Sequence, residues 1–237
     1  MIGTGPSRPR PQPLWVRLEI DQYAAQAVFA ATPGLRQVPF GVVRQQEDSH
    51  KASLFAVSQC ARNRGVEPGM PVFIARRKVG REFRVVGRDE AAESTIREAV
   101  RELCAEWTPE QQVGATSAWL DLSGTPISRA LSWGEVGARL STEVQQRSGL
   151  QQLAVGVSAS RVVAQILARQ ARPQGVITCP VGQEQERLSS VDADSLPGLA
   201  AACRDRAHMY GLDRVEQLLD LDRNTLIRRF GKEEGAR

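Results

Sequence analysis

The chain has 237 residues, 41% of them hydrophobic and 24% charged, with 31 Lys+Arg against 27 Asp+Glu. That length builds one large or two smaller domains around a real core, and the composition excludes a disordered polymer and a disulfide-stapled miniprotein. The longest uncharged stretches, residues 22–35 and 148–160, contain Gln and Gly and are shorter than the ~18–20 apolar residues of a membrane-spanning helix.

Residues 1–13 hold four prolines and no apolar segment of the secretory kind, so they read as a disordered leader of a cytoplasmic chain with no membrane partner. Residues 14–20 (LWVRLEI) alternate, with Leu14, Val16, Leu18 and Ile20 on one face, which predicts a half-buried strand. An Ala-rich helix over 22–31 follows, closed by Pro33-Gly34. Strands are expected at 38–43 and 54–57, then a helix through Arg64 that stops at Gly65, a helix over 71–77 and a strand over 83–86. The clearest helix covers 89–107, because Ile96, Val100, Leu103 and Trp107 recur at helical period and Pro109 ends it. Residues 113–122 read as one strand. Ser132 and Glu135 form a capping box that opens a helix to about residue 147. A strand over 153–157, a helix over 160–171 and a strand over 175–178 follow. Beyond them the pattern is all-helical, at 183–188, 200–210, 214–219 and 223–230. The expected architecture is α+β: one sheet with helices packed on it, a basic insertion, and an appended helical unit.

The charge is unevenly placed. Residues 51–88 carry nine basic side chains against Glu67 and Glu82, and residues 144–183 carry Arg147, Arg161, Arg169 and Arg172 with no carboxylate. Two basic regions distant in sequence can converge on one polyanion. Cys60, Cys104, Cys179 and Cys203 lie far apart without a C-x-x-C pair, and the two histidines are His50 and His208. A zinc site needs clustered ligands, so reduced thiols are expected and no metal. Trp107, Trp119 and Trp133 read as packing residues rather than base-stacking platforms.

A set of ordered segments carries a resemblance. Leu18-Glu19-Ile20-Asp21-Gln22-Tyr23-Ala24 resembles the D-x-D-x-F first palm strand of the Y-family (UmuC/DinB-type) lesion-bypass DNA polymerases. PFGVV at 39–43 resembles the strand that follows it, and LFAVSQCARNRGV at 54–66 resembles the fingers motif. ATSAWLDL at 115–122 resembles "IDEAYLDV", the run 154–175 resembles the segment ending in K-P-N-G, and Leu196-Pro197-Gly198-Leu199 resembles the start of the thumb helix-hairpin-helix.

The resemblance implies a ferredoxin-like palm in two pieces (14–35 and 89–180), small fingers (36–88) and a helical thumb with a helix-hairpin-helix (181–237). It places the family's three metal-binding carboxylates at Glu19, Thr116 and Ser117, with Asp21 as a second acid of the first motif. Two hydroxyls cannot supply the negative charge that a pair of divalent ions requires. Asp121 lies four residues beyond Ser117, ~13 Å along a strand, and does not substitute. Ala24 stands where the family has a bulky gate against ribonucleotides, and Gln59 replaces its fingers tyrosine. Arg62, Arg161, Arg172 and the Pro197-Gly198 turn are the expected phosphate or DNA contacts. With the opening Leu14-Trp15-Val16-Arg17-Leu18, this pattern is most similar to the catalytically degenerate ImuB-like branch.

That branch implies a non-catalytic DNA- or partner-binding module in translesion synthesis. Its partners would be DNA, a mutagenesis accessory protein and a separate polymerase. A sliding clamp is not expected, because the chain stops near the end of the thumb with no little-finger domain. No cofactor is expected. Mg2+ enters only under the alternative of a low-activity polymerase, and a second alternative is an interaction scaffold without DNA affinity.

Overall fold

The computed structural model describes residues 12–35, 37–44 and 52–231. Apart from Gln12 and Pro13, the expected leader lies outside the described residues.

The alternation at the start of the chain becomes β1 (Trp15–Ile20), the middle strand of a five-stranded sheet. The strands run in the order β5 (Gln111–Val113), β6 (Ser117–Asp121), β1, β7 (Leu153–Ser158), β8 (Gly175–Cys179). β1 is antiparallel to both neighbours, and β8 is parallel to β7. Glu19 stands opposite Ser117 on one side and Ala154 on the other. The two-residue period of a strand therefore sorts Val16, Leu18 and Ile20 to one face and Trp15, Arg17 and Glu19 to the other.

The first face is the core. α4 (Glu90–Trp107) and α6 (Trp133–Ser148) cover it, and the expected stripe Ile96, Val100, Leu103, Trp107 is buried with Val16, Leu18, Leu120 and Val155. Both halves of the Ser132/Glu135 capping box form at the start of α6. The second face is only partly covered. α7 (Arg161–Gln170) lies over β7 there as the crossover to β8. Gly156 makes this possible: a Cβ at that position would stand 2.0 Å from the Ala164 carbonyl oxygen and 2.5 Å from the Ala168 nitrogen. The closeness of α7 brings the side chains at its end within reach of β1.

A smaller sheet, β3 (Ala56–Val57), β2 (Phe40–Val43), β4 (Arg84–Gly87), carries α2 (Gln59–Arg62) and α3 (Val72–Val79). α1 (Tyr23–Ala31) joins the two sheets, burying Ala24, Ala25 and Val28 against Phe40, Val42 and Ala56. A polar tie reinforces the junction. The buried Glu93 carboxylate accepts two hydrogen bonds from Arg88, each 2.7 Å, and the Glu93 carbonyl accepts one from the Tyr23 hydroxyl.

The C-terminal unit consists of α8 (Glu184–Ser189), whose Leu188 packs toward α7 and Val215, followed by α9 (Ala201–Met209), α10 (Val215–Leu219) and α11 (Arg223–Phe230) around Cys203, Ala207, Leu212 and Phe230. Arg169 of α7 donates to the Ser195 carbonyl at 3.2 Å, linking this unit to the main sheet. The His208 ring sits between two carboxylates, Nδ1 2.9 Å from Asp213 and Nε2 2.9 Å from Asp194.

Two expectations change. Residues 113–122 are not one strand: the Gly114 amide donates to the Ser117 carbonyl at 2.8 Å, closing a turn so that β5 and β6 pair as a hairpin. The apolar positions change phase across this turn, from Val113 to Ala118, Leu120 and Leu122, and that phase change is the sequence trace of the reversal. α5 (Pro126–Ala130) was not expected, although Thr125 caps it and Pro126 occupies its first turn. Cys104, Cys179 and Cys203 are buried thiols outside any disulfide, and burial pushes Cys104 up to about 12. Among the described residues no helix is long and apolar enough to cross a membrane.

Two predictions follow from this packing. Gly156→Ala forces α7 off β7 and should lower unfolding free energy by about 3 kcal/mol in denaturant titrations. The Asp213 and Asp194 hydrogen bonds raise the His208 pKa above its usual 6.5. The tie is then complete below ~6.5 and is lost as pH rises through the folded value. NMR titration of the ring should give a midpoint above 6.5 that Asp213→Asn lowers.

Candidate functional site

The positions that the resemblance marks for metal carboxylates meet at the C-terminal end of β1. Glu19 is buried, 4% exposed, on the open face of the sheet. Ser117 faces it from β6, half-buried. Thr116 lies in the β5–β6 turn with its side chain exposed, and its carbonyl accepts the Ile20 amide at 2.9 Å.

Arginines surround Glu19. Arg172 Nε is 3.0 Å from Oε2, Arg17 Nε is 3.4 Å from Oε1, and Arg169 Nε is 4.0 Å from Oε1. Arg17 reaches Glu19 because the two share a strand face two residues apart. Arg169 ends α7 and Arg172 follows it, and both are nearly half exposed. Arg17 is mostly enclosed; burial lowers its pKa below the usual guanidinium value while Glu19 opposes that shift, and the group stays cationic.

Asp21, just past the strand, forms the second pair: its carboxylate accepts from Arg62 at the end of α2. The next residue, Gln22, has φ 48° and ψ 42°, a left-handed backbone uncommon outside glycine. Its side-chain oxygen accepts the Val57 amide at 2.9 Å, fastening the start of α1 to β3. The buried Gln26 amide donates to the Asp21 carbonyl at 2.6 Å and to the Gln152 carbonyl at 2.9 Å.

The expected phosphate contacts are thus distributed unevenly. Arg62 and Arg172 are both at the end of β1, where each meets a carboxylate of its own chain. Arg161 stands at the other end of that strand, ~13 Å away by the strand rise. Its guanidinium lies 4.7 Å from the Trp119 ring centre and 5.2 Å from that of Trp15, and it donates to Gln112 at 3.2 Å. Trp15 and Trp119 pack edge to face at 6.3 Å, and Arg17 lies 4.8 Å over Trp119. Trp107 is in the core and Trp133 packs against it, but Trp119 belongs to this cation–aromatic stack on the opposite face. A small pocket of about 80 Å³ lined by Trp15, Trp119, Arg161, Glu110 and Asp121 opens beside it. Gly198 is separate, exposed on the C-terminal unit with φ 82°. Ala24 is buried against the small sheet, and Gln59 accepts from Gln152 at 2.8 Å.

Divalent cations prefer several carboxylate oxygens. Of the three expected metal positions only Glu19 carries a carboxylate, both of whose oxygens face guanidinium groups, and the other two carry hydroxyls; the neighbouring Asp21 is paired with Arg62. Among the described residues no group of three or more His, Cys, Asp or Glu is placed to hold a metal ion. Asp121 pairs with Trp15 at the far end of the strand, where its Oδ1 accepts the Ser123 amide at 2.9 Å. These donors do not fit a pair of divalent ions. Sequence reasoning missed Arg17, Arg169 and Gln22 as site residues. The acid-free run 144–183 contained Arg169, and the i, i+2 spacing of Arg17 and Glu19 was the available sign of the first.

A mixed α+β fold with a five-stranded sheet, a second small sheet and a C-terminal helical unit is similar to the palm and fingers of polymerase domains. The chain belongs to the impB/mucB/samB family, whose profile matches residues 18–169, the Y-family DNA polymerase domain. It is similar to the DNA polymerase IV of Streptomyces coelicolor, 28% identical over 95% of this chain and 47% of that protein. It is also 25% identical to the DNA polymerase IV of Aeromonas hydrophila subsp. hydrophila, over 92% of this chain and 61% of the relative. Among solved structures, an insertion ternary complex of Dbh DNA polymerase matches with TM-score 0.78 and 20% identity over 94% of this chain and 65% of that one. DinB from Sulfolobus solfataricus matches with TM-score 0.75 and 20% identity over 94% and 64%. The chain therefore spans between about half and two thirds of the length of these proteins.

Arg161→Ala removes the cation from two indoles and should cost about 1 kcal/mol of stability. It should also shift tryptophan emission to the red.

Proposed function

We propose that this chain is a non-catalytic Y-family module that binds DNA during translesion synthesis in the cytoplasm, of the ImuB-like kind. Residues 14–35 and 89–180 act as its palm, 36–88 as its fingers and 181–237 as its thumb, and an accessory mutagenesis protein and a separate polymerase act beside it. One observation carries the reading. The only carboxylate at the three expected metal positions is Glu19, and arginines hold it. Basic groups persist where acidic ones are lost, which favours phosphate contact over phosphoryl transfer.

A second reading, a low-activity polymerase using Mg2+, draws on relatives that carry the name DNA polymerase IV. Primer extension separates the two. With Mg2+ or Mn2+ the chain should add no nucleotide to a primer–template, and incorporation abolished by Glu19→Ala would establish the enzyme instead. The same primer–template should bind with an affinity that falls steeply between 50 and 200 mM salt, by roughly tenfold or more for a few phosphate contacts. Absence of binding at low salt would leave only a protein-interaction scaffold.

A further inference from the structure

The donors at the end of β1 do not fit divalent ions, and their arrangement fits an anion. Arg17, Arg169 and Arg172 converge on one carboxylate, so positive charge exceeds negative charge at a partly buried point. Such an excess is poorly screened by water and attracts a further anion. Arg169 and Arg172 are 45% and 46% exposed, which leaves guanidinium edges open to solvent while the carboxylate they face is buried. Guanidinium forks match phosphate oxygens in pairs of hydrogen bonds and, unlike a metal ion, are fixed to the chain. Glu19 competes with any arriving phosphate for the same groups.

We propose that Arg17, Arg169 and Arg172 form a metal-independent phosphoryl-binding site, with Glu19 as the internal anion that an incoming phosphate displaces from Arg169 and Arg172. The ligand is a phosphoryl oxyanion, from a DNA backbone or from a nucleoside triphosphate. The inference rests on the non-catalytic reading of the palm, and it reverses two signs. At a two-metal site a divalent ion strengthens triphosphate binding and loss of the carboxylate weakens it. Here a chelator leaves binding intact, and loss of the carboxylate strengthens it.

The test measures binding of the full chain to a fluorescent primer–template by anisotropy, and to dATP by calorimetry, each with EDTA and with Mg2+. Affinity for at least one ligand should persist in EDTA. Glu19→Gln should tighten it by about threefold to tenfold, and Arg169→Ala with Arg172→Ala should weaken it by about tenfold or more. A response confined to the primer–template assigns the phosphate to the DNA backbone, and one confined to dATP assigns it to a free nucleotide. Binding of both ligands that requires Mg2+, weakens in Glu19→Gln, or ignores the arginine pair overturns the proposal. So does a wild-type chain that binds neither. Thermal melts check the variants. Should Glu19→Gln fail to fold because Arg17 loses its partner, the arginine pair and the chelator decide, since both arginines are surface-accessible. DNA binding that persists unchanged in every variant refutes this site while leaving the DNA-binding reading standing.

Discussion

A buried carboxylate must be compensated, and the way Glu19 is compensated shapes the functional face of this protein. Removing an ionised group from water costs several kcal/mol unless opposite charge and hydrogen bonds replace the solvent. Arg17 supplies part of that compensation from the same strand, and Arg172 and Arg169 supply the rest from the end of α7. They reach it only because α7 lies against β7 without a side chain at position 156 between them. A packing detail in the crossover helix thus determines the electrostatics of the central strand.

The junction between the two sheets follows the same logic with different residues. Asp21 and Glu93 are both buried acids, and each is met by an arginine, Arg62 and Arg88, from the small-sheet unit. Gln22 and Gln26 satisfy the backbone where β1 passes into α1, and Gln22 does so from a left-handed conformation. Such strained positions persist where surrounding contacts over-determine them. The two sheets are therefore joined by compensated charge as well as by the apolar contact of α1 with β2.

Membership of a polymerase family and the chemistry of the site point in different directions, and the difference has a physical origin. The family fold is set by the core face of the sheet, where Val16, Leu18, Ile96 and Val100 pack regardless of what the other face carries. Substitution at positions 116 and 117 falls in a turn and at a strand end, so it alters the charge of the site without disturbing that core. A fold of this kind retains its shape whatever charge that end of the strand carries.

Much of this was legible in the sequence, and for definite reasons. Helical period fixed α4, the Ser132/Glu135 capping box fixed the start of α6, and alternation fixed β1, because each is a local pattern that packing reinforced. The identities of Glu19, Asp21, Thr116 and Ser117 already described a depleted set of acids, since loss of a carboxylate is a property of composition at a motif. The hairpin reversal at Gly114 left only a phase change in the apolar positions, from Val113 to Ala118, Leu120 and Leu122, across a short turn without Pro, Asn or Asp. The tertiary structure alone decided what surrounds the remaining acids. Arg172 lies 153 residues beyond Glu19 and Arg62 lies 41 beyond Asp21. No local period records such pairs, and only the crossing of α7 over the sheet and the docking of the small sheet on α1 bring the charges together.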